Sequence, residues 1–445
     1  MKENKKSFPF LAFIIYACLI ISLSVFSAAD SQKTEYELIS LSEKADLKSL
    51  IASFPVDPVM ADGRRSFFLV ERKYLESIKK AGFDFRLEKV PSSPIPGSGS
   101  NLNSTAQGGL NGAYHSYQEL ASDLRSLATS YPGLAQLHIL GKSLENRNIY
   151  ALKISDNVSL KENEAKVAFL GCHHAREWIS VEVPLLIGRN LLENYNGDSR
   201  IKNLVDSAEI WIIPLVNPDG LEYSIVNYRL WRKNRRCNQD GSYGVDLNRN
   251  YSYQWAYDNL GSSPEPSAET YRGTAPFSEP ETEAVKNLFL KNSFQAAISY
   301  HSYSQIILYP WGFMDQATDQ EELLSQLAAQ MASLISQVNG RFYEIGRASS
   351  SLYLTNGDFA DWIYGFFQIP VFTIELPPVD RLHGGFLNSE EDINNIFLEN
   401  WPAALFLLDW AISSYPASKR HQRILPENKL EKLPGIVVKD KRSLF

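Results

Sequence analysis

The chain has 445 residues, of which 44% are hydrophobic and 12% aromatic, so it can bury a sizeable core and is not a disordered polymer. Its net charge of −7 and the lack of an extended basic stripe argue against nucleic acid as a partner.

The first residues, "MKENKKS", carry Lys2, Lys5 and Lys6. An apolar run from Phe10 to Phe26 follows, and then the small residues Ser27, Ala28 and Ala29. A positive head, a greasy middle and a small-residue exit predict an export signal over residues 1–29, cleaved near Ala29. The run is also long enough for an uncleaved membrane anchor. No later stretch is apolar for long enough to span a bilayer, so a cleaved chain keeps no membrane span.

Residues 30–90 mix a strand-like piece, "RRSFFLVER", with a helical one, "KYLESIKKAG", which predicts a small α+β domain. The stretch from Pro91 to Gly109 is rich in Pro, Ser, Gly and Asn, and residues 91–113 are expected to be an exposed linker. A small exported domain before such a linker predicts a propeptide, with an accessory domain as the plainer alternative.

From residue 114 to 416 strands and helices alternate. "NIYALKIS", "KVAFLGCH", "EIWIIPLVN", "AAISYHSY" and "IPVFTIEL" are apolar runs of strand length. The helical stretches "YQELASDLRSLATS", "VEVPLLIGRNLLENY", "EPETEAVKNLFLKN" and "EELLSQLAAQMASLISQV" lie between them. Runs apolar on both faces and separated by helices predict an α/β domain with a mixed, mainly parallel central sheet and helices on both faces. Residues 417–445 form a polar, mildly basic tail. Cys172 and Cys237 remain after export, and sequence alone leaves their pairing open.

In sheets of this kind chemistry gathers beyond the carboxyl ends of the strands. "GCHHAREW" (residues 171–178) follows the strand "KVAFL" directly. Catalytic zinc takes three protein ligands, often two histidines and a carboxylate, plus water. His174 and Glu177 are three apart and His173 and Glu177 four apart, so one turn presents either pair. This spacing arises easily by chance. The distant ligand is equally open, with His301 at a strand end and His383 in "RLHGG" as candidates.

Four more stretches narrow this: "NYRLWRKNRR", "GVDLNRNY", "SYHSYSQIILYPWG" and "DFADWIYGFFQIPVFTIEL". Together with "HHAREW" they resemble the zinc metallocarboxypeptidase family of the A/B type, in character nearest to bacterial carboxypeptidase T, over essentially all of residues 114–415. The resemblance implies a secreted zymogen and one zinc per chain, held by His174, Glu177 and His301, with His173 packing beside them. It implies Glu375 as general base, Arg232 at the oxyanion, and Asn248 and Arg249 clamping the substrate's terminal carboxylate. Tyr353 matches the tyrosine that closes over substrate, while Arg176 and Tyr303 match outer substrate positions. Non-proline cis bonds are implied at Ser302–Tyr303 and Pro310–Trp311. Substrates would be peptide or protein C-termini, and an activating protease would be a partner. Calcium sites are not legible in these motifs.

The position matching the family's specificity residue is Ala360, roomy and uncharged. Asp358, two residues earlier, either faces the same pocket or caps the helix "FADWIYG". A broad pocket that takes apolar residues and tolerates basic ones is the expectation. Pro377 stands where the family more often has a charge, and Asn388 lies where it has a proline, so the loop after Glu375 departs from the pattern. A noncatalytic peptide- or glycan-binding relative is the alternative of another class, and a cell-wall peptide-trimming enzyme is the alternative activity. Because the implied zinc, base and clamp positions are all filled, the noncatalytic reading is disfavoured.

Overall fold

The computed structural model describes residues 36–42, 45, 50, 56–61, 65–88, 111–379 and 385–415. The expected export signal, most of the linker, His383 and the C-terminal tail lie outside the described residues.

Strands β1 (Tyr36–Ser42), β2 (Val56–Ala61), β3 (Arg65–Glu71) and β4 (Phe85–Glu88) form an antiparallel sheet in the order β2-β3-β1-β4. Helix α1 (Leu75–Lys80) joins it, and Ile39, Leu41, Phe68, Val70 and Ile78 bury a small core of their own. The strand and helix expected between residues 64 and 82 are both present.

The larger unit opens with α2 (Tyr117–Ser130). Ser116 caps it and forms a reciprocal capping box with Glu119, while Leu120, Leu124 and Leu127 turn inward at helical spacing. Eight strands follow: β5 (Ala135–Lys142), β6 (Asn148–Ile154), β7 (Ala165–Gly171), β8 (Ala208–Ile213), β9 (Ala296–Ser302), β10 (Ile306–Tyr309), β11 (Glu344–Arg347) and β12 (Val371–Leu376). Their order is β11-β10-β12-β9-β7-β8-β6-β5. The pairings β12·β9, β9·β7, β7·β8 and β10·β11 are parallel, and the other three are antiparallel.

Every residue of β7, β8, β9 and β10 is buried, so both faces of the sheet's centre are covered. Among the covering helices are α3 (Ile179–Asn194), α4 (Ser199–Val205), α5 (Pro218–Val226), α6 (Pro280–Lys291), α7 (Glu321–Asn339), α8 (Ala348–Ser351), α9 (Phe359–Phe367) and α10 (Asp392–Ser414). Among the described residues, no helix is long and apolar enough to cross a membrane.

The chain runs from β7 through α3 and α4 to β8 on one side of β7, and later returns to β9 on the other. The sheet therefore has a switch point between β7 and β9, where the strands' carboxyl ends open a crevice. Cys172 and Cys237 are separate free thiols, the first buried and the second exposed.

Candidate active site

The crevice is built first by β7 and the turn beyond it. Gly171 ends the strand where a Cβ would lie 1.9 Å from the carbonyl oxygen of Ser180, so only glycine lets α3 begin this close. Cys172 then takes a left-handed conformation (φ 53°), and the Glu177 N–H donates to the His174 carbonyl, closing one tight turn. His174 Nδ1 lies 2.7 Å from Glu177 Oε1. On the neighbouring strand β9, His301 Nδ1 lies 3.0 Å from Glu177 Oε2 and 3.2 Å from His174 Nδ1. The three residues are buried, and their ligand atoms lie within 4.8 Å of one another.

The outward nitrogens of both histidines are occupied. His174 Nε2 is 3.2 Å from Asp246 Oδ1, and His301 Nε2 is 3.1 Å from Ser299 Oγ. Nδ1 is thus left to face the common point, as metal-ligating histidines require. Two imidazole nitrogens and a carboxylate suit zinc in an open site. Burial pushes the Glu177 carboxyl up, but His174 and His301 outweigh this and hold it below the usual carboxylate range.

Glu375 is in register with His301 on the parallel strand β12 and faces the same crevice. Burial, helped by the nearby charge of Glu177, raises it to about 8. The loop after α5 supplies the cations. Arg232 donates Nε and Nη2 to Asp246 Oδ2 at 3.1 and 2.9 Å. The fully buried Asp246 is held far below the usual carboxylate range, because Arg232, Arg249 and His174 overcome its burial. It ties Arg232 to His174 through its two oxygens.

Asp246 also accepts the Asn248 N–H, while Arg249 donates to the carbonyls of Gly261 and Asn248. Asn248 Oδ1 receives the N–H of Phe359, which locks the start of α9 to this loop. Asp246, Ser299 and Tyr251 were not singled out in the sequence. The available signal was a carboxylate set between Val245 and Leu247, and a serine two residues before a strand-end histidine.

A cleft open to solvent is lined by His174, Asn248, Arg249, Tyr353, Asp358, Ala360 and Glu375, among others. Tyr353 is 39% exposed, and its ring lies 5.9 Å from the Arg249 guanidinium. Asp358 caps α9 by accepting the Asp361 N–H on Oδ1 at 2.9 Å, and its Oδ2 accepts from Thr355 Oγ1 at 2.5 Å. The helix cap is therefore real, and the same carboxylate still borders the cleft. Its neighbour Asp361 accepts from the N–H groups of Gly312 and Phe313. Burial and the adjacent Asp358 push Asp361 well above the usual carboxylate range.

Arg232, Arg176 and Tyr303 do not line this cleft. Arg232 pairs with Asp246, and its charge lies near enough to Glu375 to act on that carboxyl. Arg176 lies 4.2 Å over the Phe386 ring and 3.7 Å from Glu269, and Tyr303 meets Phe386 edge-on. His173 belongs to neither group: its nitrogens face Tyr251 and Ser299. Burial, with His301 and His174 nearby, keeps it well below the usual imidazole range, hence neutral. The peptide bonds Ser302–Tyr303 and Pro310–Trp311 are cis, as expected. So is Pro377–Pro378 in the departing loop, where Asn388 donates to the Pro377 carbonyl at 2.7 Å.

Convergent imidazoles and a carboxylate at a switch-point crevice, with a second buried carboxylate beside them, define a site of the metallohydrolase type. Residues 120–403, more than half the chain, match the family model for zinc carboxypeptidases. The chain belongs to that family.

It is 35% identical over 289 residues to a zinc carboxypeptidase of Saccharothrix mutabilis subsp. capreolus, covering 60% of this chain but only 62% of that protein. It is 33% identical over 307 residues to carboxypeptidase O of Bos taurus, covering 68% of this chain and 80% of that protein. With bovine thrombin-activatable fibrinolysis inhibitor, solved in complex with a tick carboxypeptidase inhibitor, it shares 33% identity at a TM-score of 0.61. That match covers 67% of this chain and 98% of that one. A second structure of thrombin-activatable fibrinolysis inhibitor aligns at a TM-score of 0.69 and 26% identity, over 85% of this chain and 99% of that one.

Proposed function

We propose that this is an exported carboxypeptidase, made as a proenzyme, that hydrolyses the last peptide bond of peptides and accepts apolar C-terminal residues while tolerating basic ones. The observation that carries the proposal is the convergence of His174 Nδ1, Glu177 and His301 Nδ1 at one point, with Glu375 one strand away. These three residues would hold one zinc, which supplies Lewis acidity toward a carbonyl and lowers the pKa of water.

Glu375 takes the proton of the attacking water and passes it to the leaving amine. Its buried position favours a group that shuttles protons near neutral pH. Arg232, braced by Asp246, stabilises the negative charge that develops on the carbonyl oxygen. Asn248 and Arg249 hold the free carboxylate that marks a chain end, and exposed Tyr353 closes over the bound residue. Arg176 and Tyr303, gathered around Phe386, contact residues further from the chain end. Ala360 leaves room for an apolar side chain. The Asp358 carboxylate at the cleft wall gives Lys or Arg a weak partner.

Residues 30–90 act as the propeptide and 91–113 as its activation linker. In support, Tyr74 of the small unit lies 3.1 Å from Ser267 Oγ of the large one through its hydroxyl.

The test is an assay of the purified chain on blocked dipeptides of varied C-terminal residue, before and after cleavage within residues 91–113. Release of Leu, Met and Phe, weaker release of Arg and Lys, loss on chelation and recovery with zinc are expected. No amino-acid release by the cleaved, zinc-loaded protein overturns the reading. Full activity before cleavage removes the propeptide's occluding role.

A further inference from the structure

We infer that Tyr251, His173 and Ser299 form a one-way hydrogen-bond relay that sets the tautomer and ring orientation of His301, and so prearranges that residue for metal. The inference rests on the ligand set proposed above.

Ser299 and His301 are two residues apart on β9 and therefore share a face of the strand. His173 leaves the end of the adjacent strand β7 and brings its ring nearly parallel to that of His301, with centroids 5.5 Å apart and planes 11° from parallel. The Ser299 hydroxyl joins the two rings, 3.2 Å from His173 Nδ1 and 3.1 Å from His301 Nε2. His173 Nε2 lies 2.9 Å from the Tyr251 hydroxyl. All four residues are buried.

A single constraint gives the chain its direction. A neutral imidazole has one N–H donor and one acceptor. As a ligand, His301 must present the bare lone pair of Nδ1 toward Glu177 and His174, so its proton sits on Nε2 and is donated to Ser299 Oγ. The serine's only proton then goes to His173 Nδ1. That leaves the His173 proton on Nε2, donated to the Tyr251 oxygen. Reversing any link aims an N–H of His301 at the metal point.

The far end is rigid. The Tyr251 ring stacks on Trp362 at 5.3 Å and meets Phe277 and Phe359 edge-on. Packing alone would be served by an apolar residue at position 173. A buried ring with both nitrogens matched has a polar task. His174 is braced differently, by the Asp246 carboxylate. A second carboxylate behind His301 would add negative charge near Glu177 and Glu375, whereas the neutral relay orients the ring without it.

The test uses the full chain, with zinc affinity read by competition against a chromophoric chelator. Ring protonation is read by nitrogen NMR of the zinc-loaded, 15N-histidine-labelled wild type. Ser299→Ala and His173→Leu should weaken zinc binding about 10- to 100-fold. His173→Asn places an amide oxygen where Nδ1 accepts, so it should restore affinity to within about threefold of wild type. The wild-type spectrum should place the proton on Nε2 of both His173 and His301.

Wild-type affinity in Ser299→Ala and His173→Leu, with zinc lost from His301→Ala, overturns the relay and leaves the ligand set standing. Wild-type affinity in His301→Ala overturns the ligand set, and the relay with it. If the variants do not fold, the wild-type spectrum decides, and a proton on His173 Nδ1 refutes the direction of the chain.

Discussion

The same sheet carries a buried charge network at each of its two ends, and they are built on opposite plans. At the amino ends of β7 and β8, Glu209 bridges Lys166 and Lys153, the latter at 3.4 Å. Lys153 also donates to the carbonyls of Val158 and Leu160. In that network the charges pair with one another, although Lys166 Nζ and Glu209 Oε1 make no hydrogen bond, and they converge on no shared space. At the carboxyl ends, His174, Glu177 and His301 turn their ligand atoms toward one point, while Asp246 and Ser299 occupy their far sides. Burial is equal at the two ends, so burial does not mark the site. What separates them is whether the polar atoms are spent on one another or held facing a shared space.

Substitutions at the two ends should therefore separate activity from stability. Glu375→Gln is expected to lower kcat by about 10² to 10⁴ while zinc content and melting temperature stay at wild-type values. Steady-state kinetics beside a thermal melt checks this, and near-wild-type turnover would mean that another group moves the proton. Glu209→Gln should do the reverse. Removing the carboxylate leaves two buried lysines without their partner, which costs about 3–5 kcal/mol by denaturant titration, with kcat/KM of the folded enzyme unchanged.

A third cluster sharpens the contrast through pH. His115, just before α2, is bonded by Nδ1 to Glu182 at 2.7 Å and by Nε2 to Asp123 at 3.1 Å, and Arg189 pairs with the same Asp123. Burial pushes His115 down, but the two carboxylates outweigh it and raise it to about 9. A histidine raised on folding stabilises the native state fully below its unfolded value of about 6.5, and that contribution is lost as pH rises through the folded value. Unfolding free energy should therefore fall between about pH 6.5 and 9, and His115→Gln should flatten this slope. An unchanged slope in the variant would assign the loss to other groups.

The smallest effect concerns the cleft wall. Asp358→Asn keeps a good helix cap, so it isolates the charge. It should reduce kcat/KM for C-terminal Arg and Lys by about fivefold or less and leave Leu and Phe nearly unchanged. An equal loss on all four would make Asp358 a cap only.

Much of this was legible in the order of residues. Runs such as "KVAFLGCH" and "AAISYHSY" are apolar on both faces and alternate with helical stretches, as a covered, mainly parallel sheet requires, and so the sheet's centre was readable. The edge strands β5 and β11 and the inner strand β10 were not, because β5 and β11 are partly exposed and β10 and β11 are only four residues long, with partners distant in sequence. Within the site, spacing put either His173 or His174 on one turn with Glu177, since that distance is local, and the family resemblance chose His174. Which nitrogen of each histidine faces the metal point was beyond reach of sequence, because Asp246 lies 72 residues from His174 and the choice is made by that contact. His173 shows the same division most clearly. Its place beside the ligands follows from adjacency to His174, but its bond to Ser299 exists only because β7 and β9, 126 residues apart at this contact, lie side by side in the folded sheet.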